Sequence, residues 1–557
     1  MRLKVLLLGA FVSQIEAAQS NVSYTELYRP QYHYTPARNW INDPNGLVYA
    51  DGTYHMYYQY NPGGDTWGAM SWGHASSKDL THWKEQPVAL LARGYPDNIT
   101  EMFFSGSVVI DQNNTSGFGN KGDAPWVAMY TSYYPLQQVL PSGKQVRDQQ
   151  QAQSIAYSLD HGATWTTYDE HNPIILDPPA PYQDQYLDFR DPNIFWYQPI
   201  KKWVAVISLA KLHKLLIYTS PNLRQWSLES EFGPFNAVGG VWECPNLFPL
   251  PLDGDESKVK WVAIVGLNPG GPPGTVGSGI QYFVGDFNGS TFTPDLNSIH
   301  GGDKDSERTR SFANSPATDD NANWLDWGPD FYAAQAYNGL PQDQRTIISW
   351  MNNWQYGATI PTSPWRSAMS IPRQLSLKTI DQKIAVVQEP KESWKAITEA
   401  GNVSTVPSVT GVHRLGEIGK AVDIQLTFPS REAATNGSSE FGIIVRASED
   451  FSQQTRVGYD FATQQVFINR TISGDVSFDS TFASAYYAPL SPATDNTVTL
   501  HIFVDWSSVE VFGGQGQTTI TTQIFPSDNA TYAQLFSTGG STNNVQLSIS
   551  KVRSTWT

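Results

Sequence analysis

"NDPNGLVY", residues 42–49, returns along the chain as "RDPNIFWY" at 190–197 and "ECPNLFPL" at 243–250, with a looser fourth version, "PDFYAAQAY", at 329–337. Taken alone, the surrounding "NWINDPNGL" at 39–47 reads as a hairpin entry, because Asn, Asp, Pro and Gly build tight turns for local steric and hydrogen-bonding reasons. Repetition changes that reading. Each copy sets an acid at the mouth of an apolar, β-prone run and is followed, after a turn, by another such run: "TYHMYYQY" at 53–60, "WVAVISLA" at 203–210, "WVAIVGLN" at 261–268 and "TIISWMNN" at 346–353, with "WVAMYTSYY" at 126–134 of the same kind. A second repeat places Ser, then Asp or Asn, then Trp: "SSKDLTHW" at 76–83, "SLDHGATW" at 158–165 and "TSPNLRQW" at 219–226. Helical periodicity is scarce, and short strands separated by turn residues predict an all-β chain. Repeated supersecondary units point to the blades of a β-propeller, four or five of which fit residues 22 to about 375.

Near residue 380 the texture changes. We expect the propeller over 22–375, a linker over 376–391 and a β-sandwich over 392–557, whose strands include "AVDIQLTF", "FGIIVRA", "TVTLHIFVDWSSVEVF" and "NVQLSISKV". No repeated acids head those strands, so the second domain reads as structural. Residues 301–320, "GGDKDSERTRSFANSPATDD", read as an exposed polar insertion.

The 557 residues exceed what one hydrophobic core organises, which agrees with two domains. A net charge of −16 excludes nucleic acid and anionic membranes as partners, since both need a basic footprint. "MRLKVLLLGAFVSQIEAA", residues 1–18, has basic Arg2 and Lys4, a short apolar run and small residues at its end, which is the layout of a signal peptide. Nine N-glycosylation triplets follow, at Asn21, Asn98, Asn113, Asn114, Asn288, Asn402, Asn436, Asn469 and Asn529, and predict a secreted glycoprotein. The single cysteine, Cys244, excludes an intrachain disulfide and reads as a small packed residue.

In a propeller the innermost strands line one central channel, so equivalent positions far apart in sequence converge in space. Asp43, Asp191 and Glu243 are expected at such equivalent positions. Three gathered carboxylates repel one another and disfavour folding, which marks them as catalytic rather than structural. Paired carboxylates serve glycoside hydrolysis: one attacks the anomeric carbon while the other protonates the leaving oxygen. Pro44 and Pro192 are expected to hold the preceding aspartates in extended backbone. Arg190 and Asp191 are adjacent, so both face the channel only where the strand is bulged. Competing chemistries lack support. No H-E-x-x-H or similar spacing offers a metal site, no G-x-S-x-G a serine nucleophile, and "GGPPGTVGSG" at 270–279 lacks the P-loop lysine. No cofactor is expected. "SLDHGATW" resembles the Asp-box of sialidase propellers, but the arginine cluster which those enzymes use is missing.

"NWINDPNGL", "FRDPNIF", "WECPNL", "MFFSGS", "SWGHASSKDLTHW" and "SSVEVFGGQGQTT" together resemble the family 32 glycoside hydrolases, the invertases and inulinases, over nearly the whole mature chain. The resemblance implies a five-bladed propeller joined to a β-sandwich, a retaining mechanism, and hydrolysis of terminal β-fructofuranosides in sucrose and inulin- or levan-type fructans. It makes Asp43 the nucleophile, Glu243 the acid and then base, and Asp191 the residue that holds the fructosyl hydroxyls. Arg190 would orient the carboxylates, while Asn42, Gln59, Trp67, Ser105 and Trp354 fall where the family lines its fructose pocket. Fructosyl transfer to a second sugar would use the same residues.

Overall fold

Every β-prone run quoted above forms a strand in the computed structural model, which describes residues 22–120, 122–299, 322–430 and 437–556. The 1–18 leader, the 301–320 insertion and the triplets at Asn21 and Asn436 lie outside those residues. The described chain is all-β, its helical content limited to short 3-10 turns.

Up to residue 390 the main strands form antiparallel meanders, with Trp365–Arg366 added in parallel beside Asn39–Ala50. The first holds Asn39–Ala50, Thr53–Asn61, Ser71–Ser77 and Trp83–Leu90; the second Met102–Ile110, Trp126–Tyr134, Gln150–Ser158 and Thr166–Thr167; the third Phe189–Tyr197, Lys202–Leu209, Lys214–Ser220 and Ser227–Phe232. Two further meanders, opening with Val241–Leu252 and Tyr332–Ala336, merge into one nine-stranded sheet through the pair Leu252 and Leu377. Packing then closes a ring. Asn39–Ala50 touches Met102–Ile110, which touches Phe189–Tyr197, then Val241–Leu252, then Tyr332–Ala336, which returns to Asn39–Ala50. The cores lie between neighbouring meanders. Val109, Val127 and Ile155 of the second, for example, pack against Ile194, Ala205 and Leu216 of the third.

The Ser-Asp-Trp repeat occupies the turn between the third and fourth strands of the first three sheets. Its acid or amide caps the turn's own backbone: Asp79 accepts from the Thr81 and His82 amides at 2.8 Å, Asp160 from Thr164 at 2.9 Å, and Asn222 from Arg224 at 3.1 Å. These residues are local turn chemistry. Residues 376–391, expected as a linker, contain most of the hairpin of Arg373–Ile380 and Lys383–Pro390, whose two strands pair in unbroken register and which joins the sheet before it through Arg373 and Gln374.

From Asn402 onward the strands make a β-sandwich. Tyr532–Lys551 serves both layers, pairing with Glu440–Ala447 through its first half and with Val422–Pro429 through its second. Between the layers lies a core of Ile424, Leu426, Phe441, Ile443, Val504 and Val511. The two domains are joined by buried ions. Arg373 reaches Asp326 at 2.9 Å and Glu510 at 2.5 Å, His33 bridges Asp505 and Glu510, and Arg470 of the sandwich holds Asp330 at 2.6 Å. Asp330 is the acid of the fourth repeat copy, "PDFYAAQAY". It therefore heads no channel strand and serves the domain interface.

Candidate active site

The stretch "NWINDPNGL" makes no hairpin turn. It runs inside the single strand Asn39–Ala50 and uses its turn-prone residues for two bulges, between Ile41 and Pro44 and between Asn45 and Val48. Gly46 is required there: its φ is +51°, and a β-carbon would come within 2.7 Å of Val108 Cγ2.

The other four ring strands are bulged at the same level, between Phe103 and Gly106, Arg190 and Asn193, Glu243 and Asn246, and Tyr332 and Gln335. These bulges correct two expectations. Asp191 is not extended: its φ is +64°, and Cys244 at the matching step has φ +50°. Pro192 disfavours helical backbone at Asp191 but does not stop the bulge from taking it left-handed, because the next sheet holds it there through the Asp191 amide and Thr131 Oγ1 at 2.9 Å. Nor is Glu243 equivalent to Asp191. It is the last paired residue before its bulge, as Arg190 and Tyr332 are in theirs, and Cys244 takes the place of Asp191. The glutamate enters the same cluster from one step earlier with a side chain one methylene longer. The expectation that a bulge lets Arg190 and Asp191 share the channel holds.

All three acids meet in one network. Asp43 accepts from Asn42 Nδ2 at 3.0 Å and from Ser105 Oγ at 2.5 Å, and Asn42 is itself oriented by the Trp40 indole N–H at 2.7 Å. Asp191 Oδ2 accepts from the Cys244 amide at 2.9 Å, while the Cys244 sulfur lies 3.3 Å from Asp43 Oδ2 and 3.7 Å from Asp191 Oδ2. The Arg190 fork reaches Glu243 Oε1 at 3.1 Å through Nη2, and its Nη1 is held by Asp188 at 3.1 Å and Gln151 at 3.2 Å. Tyr332 donates to Glu243 Oε2 at 2.6 Å. Asp43 is 8 % and Asp191 6 % exposed.

Burial raises the Asp191 carboxyl to about 7, with the charges of Glu243 and Asp43 adding to it and Arg190 opposing. Burial works against the Arg190 charge, but Glu243, Asp191 and Asp188 outweigh it and lift its pKa. Burial, reinforced by the three acids, pushes the Cys244 thiol well up, so it stays an S–H that can donate to Asp43.

The remaining pocket residues take distinct places. Trp67 is 43 % exposed and meets Phe104 edge-on, with ring centres 6.0 Å apart, beside Ser105. Trp354 is half-buried against Trp350 and Trp40 at 4.9 and 5.9 Å. Gln59 is buried, and its Nε2 is committed to Asn45 Oδ1 and the Phe103 carbonyl, tying the first ring strand to the second. Sequence reasoning missed Tyr332, Cys244, Thr131, Gln151 and Asp188 as parts of the network. Tyr332 and Cys244 carried a signal, since they lie in the fourth and third repeat copies.

Two family models match the chain: the glycosyl hydrolases family 32 N-terminal domain over residues 33–390 and the family 32 C-terminal domain over 387–551. The chain belongs to glycosyl hydrolase family 32. It is 58% identical to the extracellular exo-inulinase of Aspergillus niger, over 96% of both chains. It is 43% identical to the levanase of Bacillus subtilis, over 97% of this chain and 72% of that protein. The crystal structure of exo-inulinase from Aspergillus awamori superposes with a TM-score of 0.90 at 57% identity, covering 96% of this chain and all of that one. Within this glycoside hydrolase, Trp506 stacks under the Lys420 ammonium at 3.5 Å, next to the buried Asp505 of the domain interface.

Proposed function

We propose that this family 32 enzyme is a secreted, retaining exo-β-fructosidase that releases fructose from the non-reducing ends of sucrose and of inulin- and levan-type fructans. The observation that carries the reading is the continuous contact path Asp43–Cys244–Asp191 and Asp191–Arg190–Glu243, which supports two candidate reacting carboxylates acting on one substrate. Asp43 attacks the anomeric carbon; donors from Asn42, Ser105 and the Cys244 thiol hold its carboxylate, so the nucleophile is aimed rather than mobile. Glu243, gripped by Arg190 and Tyr332, protonates the leaving oxygen and then takes a proton from water. Asp191 binds the fructosyl hydroxyls, and Trp67 and Trp354 wall the pocket. The closed ring of five inner strands supports a five-bladed propeller, and the domain boundary falls near residue 390, after the last hairpin of the fifth meander. The leader-like N-terminus and the extracellular exo-inulinases among the relatives support export.

Product analysis tests the reading. Free fructose should appear alone and early from inulin, and fructose and glucose should rise together from sucrose. Asp43→Ala and Glu243→Ala should each lose several orders of magnitude in kcat. Mixed oligosaccharides from inulin, free glucose in excess over fructose, or near-normal turnover by either variant would overturn it.

A further inference from the structure

A cavity of about 1030 Å³ lies away from the acids, at the C-terminal ends of the same five ring strands. The acids occupy the N-terminal ends of those strands. Between the two ends the channel is crossed by amides. Asn338 donates to the carbonyls of Val108 at 2.9 Å and Ile194 at 3.2 Å, and Asn246 donates to Gln335 at 2.7 Å. Asn338 and Asn246 are themselves part of the rear cavity's lining.

Its lining combines indole rings with amide donors and a cation of unusual setting. Trp196 is half-buried, with its indole N–H held by Gln198 at 2.7 Å, so the ring plane is fixed while part of its surface stays open. Trp261 and Phe248 line the wall beyond it. Arg345 is only 9 % exposed, yet it forms no ion pair among the described residues. One N–H reaches the Tyr337 carbonyl at 2.9 Å, whereas the buried Nε has no hydrogen-bond partner. With no carboxylate to offset it, burial alone lowers the Arg345 pKa to about 10. An unpaired buried guanidinium is costly, and the cost falls when oxygen acceptors meet its free N–H groups.

We propose that this rear cavity is a second carbohydrate-binding site that takes a neutral oligosaccharide, a short fructan segment, with ring faces against Trp196 and hydroxyl oxygens on Arg345 and Gln342. Pocket size suits two to three sugar units, since ligand sites run from about 300 to about 1,000 Å³. Asp51 and Asp123 share the lining and the chain carries a net charge of −16, both of which disfavour an anionic ligand. Holding one part of a chain at the rear would keep the enzyme on a polymer while its free ends are trimmed in front. The choice of fructan rests on the proposed function.

Equilibrium dialysis of the full-length Asp43→Ala protein against labelled 1-kestose tests this. The expected result is two sites per chain, falling to one when Trp196→Ala or Arg345→Met is added. In the wild-type background Trp196→Ala should keep kcat and KM on sucrose, which shows that the fold is intact; Gln342→Ala, at an exposed position, gives a milder variant with weakened second-site binding. A single site unaffected by Trp196→Ala and Arg345→Met would overturn the rear site and leave the proposed function standing. Binding of glucuronate in place of 1-kestose at the second site would overturn the neutral-sugar assignment. Absence of any 1-kestose binding would overturn the rear site, and turnover of sucrose by the wild type would show the proposed function still standing.

Discussion

Raising the pH from about 6 to about 9.5 should weaken the joint between the two domains, and His33 sets by how much. His33 is fully buried, with Nδ1 2.8 Å from Asp505 Oδ2 and Nε2 2.8 Å from Glu510 Oε1. A ring that faces a carboxylate through each nitrogen is held as the imidazolium, because only that form donates twice. Burial disfavours the charge, but hydrogen bonds and attraction from Asp505 and Glu510 outweigh it and raise the pKa from 6.5 to about 9. Arg373 faces Glu510 from the other side, and Tyr32 and Ile371 complete the surroundings through the Asp505 and Glu510 carboxylates. A pKa raised on folding gives stability that is complete below about 6.5 and is lost as pH climbs through about 9. The gap from 6.5 to about 9 is equivalent to about 3 kcal/mol. Urea unfolding followed by tryptophan fluorescence, run at both ends of that range on the wild type and His33→Gln, isolates the contribution. The wild type should lose about 3 kcal/mol more than the variant across the range. Equal pH dependence in the two proteins would refute the imidazolium bridge.

Tyr332→Phe removes the hydroxyl that donates to Glu243 Oε2, a bond to a charged group, and should lower kcat about 10- to 100-fold with a smaller change in KM, read by steady-state kinetics on sucrose. Gly46→Ala combines a positive φ with a β-carbon 2.7 Å from Val108 Cγ2, so thermal unfolding should show a loss of about 1–3 kcal/mol. Asp191→Asn should lose activity yet gain stability relative to the wild type as pH rises from about 4 to about 7. A carboxyl raised on folding destabilises once it ionises, and the amide cannot; urea midpoints at the two pH values report the crossing.

The position of the acids in the repeat made the site legible, and it also misled. The expected equivalence of Glu243 with Asp191 matched acid to acid, whereas the strings "RDPN" and "ECPN" set Glu243 level with Arg190, and the hydrogen-bond register puts it there too, level also with Tyr332. Sequence spacing carries no information about which residue a bulge leaves unpaired, because that depends on the neighbouring strand. Asp330 shows the same limit from the other direction: it heads a repeat copy, but Arg470 of a domain over 100 residues away draws it into the interface.

Local chemistry was decided by the chain itself. Alternation of apolar residues made the strands, Ser-Asp-Trp made the capped turns, and the residues able to attack and to protonate were readable as types because reactivity belongs to the side chain. Their arrangement belonged to the folded molecule. Only when five bulged strands close on each other does Cys244 come between two acids, does Arg190 span Asp188 and Glu243, and does Tyr332 find its carboxylate. Apart from Arg190 and Asp188, those contacts join residues tens to hundreds of positions apart, and distances of that kind are set by how sheets pack, which no window of sequence encodes.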